Sequence, residues 1–267
     1  MLSHLPVQLE DAPELARFLG VEEVCLVRED RLPDGGGKKR RSLIPLIETL
    51  PPGQPVHVLS YDGSHTAYTL ARLLPENPII LYAKAYPGGK YRRFMAARLA
   101  ESPNVTVIHG SLLSLLARFW IRQRRLSRDR FLSFGGALAR DREYSEAAAQ
   151  AKNTLGDRYH HIVPVASGNL LAALRSRFSQ VTGVLTQPWY VRGWIHLKYR
   201  GLTAGTLSIK AREGLVKAIA DQTGLAFDPV FMGAVLAHVR RKASRYRRIC
   251  LWVTSPALAA DFLATLR

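Results

Sequence analysis

"VREDRLPDGGGKKRRSL", residues 27–43, leaves a β-branched run, crosses three glycines and delivers four consecutive cations into apolar sequence. Gly35 to Gly37 admit backbone angles that side chains forbid, and Lys38 follows where a helix begins. A lysine at such a start meets anions, or, once desolvated and deprotonated, bonds a carbonyl carbon. The GxxxxGK[ST] spacing of a P-loop is absent. Taken alone, the stretch reads first as a solvated basic turn. What surrounds it changes that reading.

Outward from it, strand-like runs at 24–29, 56–61, 78–84, 105–109, 161–165, 181–186 and 249–254 alternate with helical patterns. The helices are expected near 41–50, 64–74, 90–101, 111–126, 140–154, 169–178, 211–223, 231–243 and 256–266, with Ser255-Pro256 capping the last. Several strands are continuously apolar, as in a sheet covered on both faces. Strand-then-helix repetition points to an α/β architecture with mostly parallel sheets. "LPPGQP" at 50–55 reads as a linker, which sets off a small lobe at 55–128 from a large one at 1–54 and 129–267.

The chain has 267 residues, 47% of them apolar, enough for one large core or two modest ones. Its 38 Lys and Arg against 21 Asp and Glu leave a charge of +17, an attraction for nucleic acid, acidic surfaces or anionic small molecules. The apolar stretches are strand-sized or broken by charge, so no membrane partner is expected. The first twenty residues lack the basic head and apolar run of a secretory signal, so a cytoplasmic protein is expected. Cys25 and Cys250 lie in strand-like runs and read as buried free thiols; no metal site is expected.

Three further stretches carry chemistry. In "SYDGSHTAYTLARL", 60–73, Gly63, Ser64 and His65 open a helix after a strand. Small residues and free amides there suit a carboxylate or a cofactor hydroxyl, or simply a Ser64 cap. In "VPVASGNLLAAL", 163–174, a strand runs through Ser167-Gly168-Asn169 into a small-residue helix, the local order of a phosphate cup. In "AFDPVFMGAVL", 226–236, and "LWVTSPAL", 251–258, no chemistry is legible in isolation; Phe231 reads as core, and Thr254 and Ser255 as caps.

In this order the pieces resemble the fold-type II pyridoxal-phosphate enzymes, nearest the 1-aminocyclopropane-1-carboxylate deaminase and D-cysteine desulfhydrase group. The family's RED triplet and GGNKxRKL are similar to Arg28, Glu29, Asp30, Gly35, Gly36, Lys38 and Arg40. Its SNH is similar to Gly63-Ser64-His65, and its GGS turn to Gly135-Gly136-Ala137. Its GSGGTxAG cup is similar to Ala166, Ser167, Gly168, Asn169, Leu170, Leu171, Ala172 and Ala173, and its DPVYTGK to residues 228–234. The likeness spans nearly the whole chain. It implies a tryptophan-synthase-β-like fold of two open α/β lobes, and pyridoxal 5'-phosphate carried by Lys38. It also implies a phosphate bed of Ser167, Gly168, Asn169, Leu170 and Leu171, with Ser64 and His65 at the cofactor and Thr254 or Ser255 facing the pyridine nitrogen. Gly63 and Phe231 fall on the substrate side.

The implied activity is a lyase or deaminase on a small amino acid such as D-cysteine or aminocyclopropane carboxylate, in a homodimer. This sequence departs from the pattern: Phe231 stands where the family has tyrosine, Leu170 where it has threonine, Ser64 where it has asparagine and Gly63 where it has serine. HTGG survives only as Val253-Thr254-Ser255, and the chain is short around 187–211. The alternatives are a relative that has lost turnover, and a basic anion- or nucleic-acid-binding protein. The latter would use the arginine-rich stretches at 90–100, 118–130 and 240–248, which read first as solvated helix faces.

Overall fold

The computed structural model describes residues 5–33, 37–85, 89–126, 130–132, 142–186, 202–204, 208–255 and 258–266. Gly35, Gly36, the 135–137 turn, Pro256 and most of 187–211 lie outside the described residues.

Two sheets carry the fold. The larger has the order β1 (Leu9–Asp11), β2 (Glu23–Arg28), β10 (Arg248–Val253), β7 (His160–Val165), β8 (Val181–Leu185) and β9 (Leu202–Ala204). Every neighbouring pair in it is parallel except β1 with β2. The smaller sheet, fully parallel, has the order β5 (Val105–His109), β4 (Ile79–Lys84), β3 (Val56–Tyr61) and β6 (Phe131–Leu132).

The continuous apolar strands are buried on both faces because two sets of helices cover them. Val24, Leu26, Ile162, Val184, Ile249 and Leu251 point into one cluster, beside Leu15 and Leu19 of α1 (Pro13–Leu19). Val216 of α8 (Ile209–Thr223) and Val235 of α9 (Met232–Arg241) fill the same cluster. The alternate residues Cys25, Val27, Val163, Val165, Cys250 and Trp252 point the other way. There they meet Tyr144 and Ala147 of α6 (Arg142–Leu155) and Leu170 and Leu171 of α7 (Asn169–Arg175). This is the period-two alternation of a strand with an apolar layer on each side. The first cluster continues into the small sheet through Val56, Val58, Ile79 and Leu81, under α3 (His65–Leu73) and α4 (Lys90–Ala100). The outer face of that sheet packs Leu59, Tyr82 and Phe131 against Leu115 and Phe119 of α5 (Leu112–Arg125).

Cys25 and Cys250 are register partners in β2 and β10, buried and free, as the sequence suggests. No helix among the described residues is long and apolar enough to cross a membrane. Two expectations need correction. The helix placed at 41–50 is α2 (Gly37–Thr49), so it starts four residues earlier, at the glycine–lysine junction itself. The last helix, α10 (Ala259–Ala264), follows Leu258 without a side-chain cap. Ser255 is not that cap, because its hydroxyl is spent elsewhere.

Candidate functional site

Gly37 takes a left-handed φ of +57°, and a Cβ on it would lie 2.7 Å from the Ser255 carbonyl. Only glycine lets the chain pass so close to the end of β10. Lys38 is then tied on both sides: its N–H donates to the Thr254 carbonyl at 3.2 Å, and Tyr144 Oη donates to its carbonyl at 3.3 Å. The side chain is buried. Loss of hydration lowers the ammonium to about 8, while the negative charges of Glu29 and Asp228 oppose the shift.

The acidic triplet before the loop explains its own residue types. Arg28 donates to both carboxylate oxygens of Asp30, at 2.9 and 2.7 Å, and also reaches Glu10. Glu29, 2% exposed, is paired with buried Arg41 at 2.7 Å, and the same guanidinium donates to the carbonyls of Leu5 and Pro6. Arg41 belongs to α2, so this charge pair clamps the lysine helix to the end of β2. One partner left alone there would be an uncompensated buried charge.

Strand register brings the remaining pieces together. Val253 sits opposite Arg28, and the Leu251–Ile162 pairing, carried two residues on, sets Val253 beside Pro164. The loops after β2, β10 and β7 therefore emerge side by side at the carboxyl edge of the sheet, where open α/β sheets bind ligands. The third loop holds the Ser167–Leu171 bend, with Gly168 at φ +89° opening α7. Leu170 and Leu171 send their side chains into the core beneath α6, so only their backbone can serve the site.

The facing wall is built at the carboxyl end of β3. Ser64 caps α3, its hydroxyl oxygen accepting from Ala67 N–H at 3.3 Å, which leaves its own proton to donate. His65 follows, with Nε2 3.3 Å from Tyr91 Oη and its ring 5.1 Å from that of Phe231. Burial holds the imidazole neutral, lowered to about 3, with the charges of Arg92, Lys39 and Lys38 adding to the shift. Gly63 departs from its expected place on the substrate side. Its φ is +65° and a Cβ would strike the Arg92 carbonyl at 2.7 Å, so this position faces α4 and no side chain fits.

Asp228, 1% exposed, closes the floor. Its carboxylate accepts from Phe231 N–H at 2.6 Å, from Met232 N–H at 3.1 Å and from the Ser255 hydroxyl. Ser255 thus gives its single proton to Asp228, leaving Thr254, also buried, as the free hydroxyl of the pair expected at a ring nitrogen. Tyr91, Lys39 and the carboxylate role of Asp228 were not foreseen from sequence. Lys39 is half-buried and lowered to about 7, by lost hydration first and by the Lys38 charge second. Tyr91 sits in an arginine-rich stretch that reads as surface helix, yet it is 1% exposed and its phenol is pushed well up by burial.

The residues present fit a phosphorylated aldehyde cofactor: a buried amine near neutrality, unbranched backbone beside it and a glycine-led bend at the same sheet edge. The two sheets and their strand order give the fold of the fold-type II enzymes. Among solved structures, an ACC deaminase homologue superposes with a TM-score of 0.72 at 16% identity, covering 100% of this chain and 95% of that one. The processed form of threonine deaminase isoform 2 from Solanum lycopersicum gives 0.62 at 14%, covering 98% and 84%. Escherichia coli diaminopropionate ammonia lyase in its apo form gives 0.63 at 12%, covering 100% and 87%. At such identities the likeness is one of fold. No family model and no curated protein sequence matches the chain.

Proposed function

We propose that this protein is a pyridoxal-phosphate-dependent lyase or deaminase acting on a small amino acid of the D-cysteine or aminocyclopropane-carboxylate type. The observation that carries the reading is Lys38: a buried amine lowered to about 8, fixed at the carboxyl edge of the large sheet across from His65 and Phe231. Enzymes with which it shares its fold act as deaminases and ammonia lyases.

When bound, the cofactor supplies an electron sink for the substrate's α-carbon. Lys38 Nζ would hold the cofactor, and then take and return a proton, which an amine poised near neutrality does well. The backbone amides of Ser167, Gly168, Asn169, Leu170 and Leu171 would hold its phosphate. Thr254 would face the ring nitrogen as a neutral hydroxyl. Ser64 would donate to the ring oxygen, and neutral His65 would position Tyr91 Oη. Phe231 excludes water from this wall but offers no proton, so a donor must come from elsewhere or turnover is slow. The protein is proposed to work as a cytoplasmic homodimer.

Absorbance tests this directly. After incubation with pyridoxal phosphate and removal of the unbound cofactor, the protein should keep a near-visible band that borohydride reduction fixes to the chain, and Lys38→Ala should lose it with an unchanged far-ultraviolet circular dichroism spectrum. A band that survives in Lys38→Ala overturns the reading. A band in the native protein with no turnover of D-cysteine, aminocyclopropane carboxylate, serine or threonine would favour the non-catalytic relative, the alternative that Phe231 in place of a tyrosine keeps open.

A further inference from the structure

Among the described residues, four large apolar side chains are exposed, and all lie on or just after α5: Leu113 (80%), Trp120 (60%), Ile121 (53%) and Leu126 (37%). Helical spacing gathers Leu113, Ala117, Trp120 and Ile121 into one stripe, at i, i+4, i+7 and i+8. Beside it run Arg118 and Arg125, with Arg124 at the end of the apolar row. No acid occurs in the helix. The opposite face is spoken for: Leu115 and Phe119 are buried against Tyr82 and Phe131. The stripe is therefore surplus to the core of the small sheet, and a surface cluster of this kind marks a contact.

We propose that the outer face of α5 docks the protein onto anionic lipid surfaces, against the sequence-based expectation of no membrane partner. Three features choose this occupant. A helix with Trp and Leu along one row and arginines along the next lies in the headgroup plane, apolar row down and cations level with the phosphates. A second copy would set arginine rows against each other, on a chain already at +17. Nucleic acid rewards stacked aromatics and cations, but it gives nothing to Leu113 and Ile121, which are solvated at a cost. At ~21 Å for fourteen residues the helix is long enough to lie on the surface, and too short and too charged to cross.

The test is sedimentation of the full chain with phosphatidylcholine vesicles, with and without about 30% phosphatidylglycerol, in about 0.1 M salt. Binding should require the anionic lipid and weaken at high salt. L113S/W120S/I121S and R118Q/R124Q/R125Q should each lose ~10-fold or more of the partition coefficient. Both should keep the native urea midpoint, because every altered side chain is solvent-exposed. Equal binding to neutral vesicles, no binding at all, or retention by either variant overturns the proposal. So does binding of an RNA or DNA duplex through α5 in place of vesicles, or a dimer in the ultracentrifuge that the serine variant dissociates.

Discussion

At the residue scale the chemistry turns on how buried charges hold one another. The Lys38 ammonium is weakened by lost hydration and supported by Glu29 and Asp228. Burial raises the Asp228 carboxyl, while three hydrogen bonds, from Phe231 N–H, Met232 N–H and Ser255, pull it down. Taking away one of the two negative charges disfavours the ammonium, so Asp228→Asn should move Lys38 below about 8. The capture rate of pyridoxal phosphate by the apoprotein follows the free-amine fraction. Its pH midpoint should fall by about one unit in Asp228→Asn, a differential interaction of ~1.4 kcal/mol. An unmoved midpoint would mean that Asp228 serves only to order the turn at 228–232. Conversely, Phe231→Tyr places a phenol beside His65 and should raise the elimination rate by roughly 10-fold or more, read as product release at saturating amino acid.

At the scale of elements, the approach of α2 to β10 decides whether a site exists at all. Gly37→Ala forces a side chain into a left-handed conformation and into the Thr254 and Ser255 carbonyls. A loss of about 2 kcal/mol or more is expected from urea unfolding, together with a weaker near-visible band as Lys38 is displaced. The seven long strands were legible because unbroken β-branched runs advertise a sheet covered on both faces. β1, β6 and β9, of three, two and three residues, carry too few positions to show a period. The burial of the first turn of α2 was hidden for another reason. Lys38, Arg40 and Arg41 are 8%, 5% and 3% exposed, a burial imposed by Glu29, Asp228 and the neighbouring loops that no local hydropathy pattern reveals. Ser255 was misplaced likewise: a serine before proline looks like a cap, and only the tertiary approach of Asp228 shows where its proton goes. The lysine and the 167–171 bend were legible through residue order, whereas Tyr91 was masked by the arginines around it.

For the whole molecule, the same burial that prepares the site sets a pH dependence of stability. A base whose folded pKa lies below its free value binds fewer protons folded than unfolded, so stability rises with pH across the gap between the two. Lys38 and Lys39 lie at about 8 and about 7, against 10.5 when free. His57, His161 and His238 are each lowered to about 4 by burial, from 6.5. The histidine contribution is complete above about 6.5 and is lost as pH falls toward 4. The lysine contribution keeps growing from about 7 to 10.5. Asp228 acts in the opposite direction, its raised carboxyl costing stability as pH climbs just above 3.8. The positive net charge adds to the trend, since self-repulsion eases as pH approaches the isoelectric point near 10.4. The urea midpoint of the cofactor-free protein should therefore climb from pH 5 to pH 9, each fully buried base contributing up to about 1.4 kcal/mol per pH unit. Lys39→Met removes one of the two lowered amines and leaves the other, whose shift comes from lost hydration. The climb above pH 7 should flatten in that variant, while the rise between pH 5 and 6.5, owed to histidines in both sheets, in α3 and in α9, stays as it was. A native midpoint that is level or falling from pH 5 to 9 would show that these amines and imidazoles reach water in the folded chain, and with it that Lys38 is not the desolvated base the site requires.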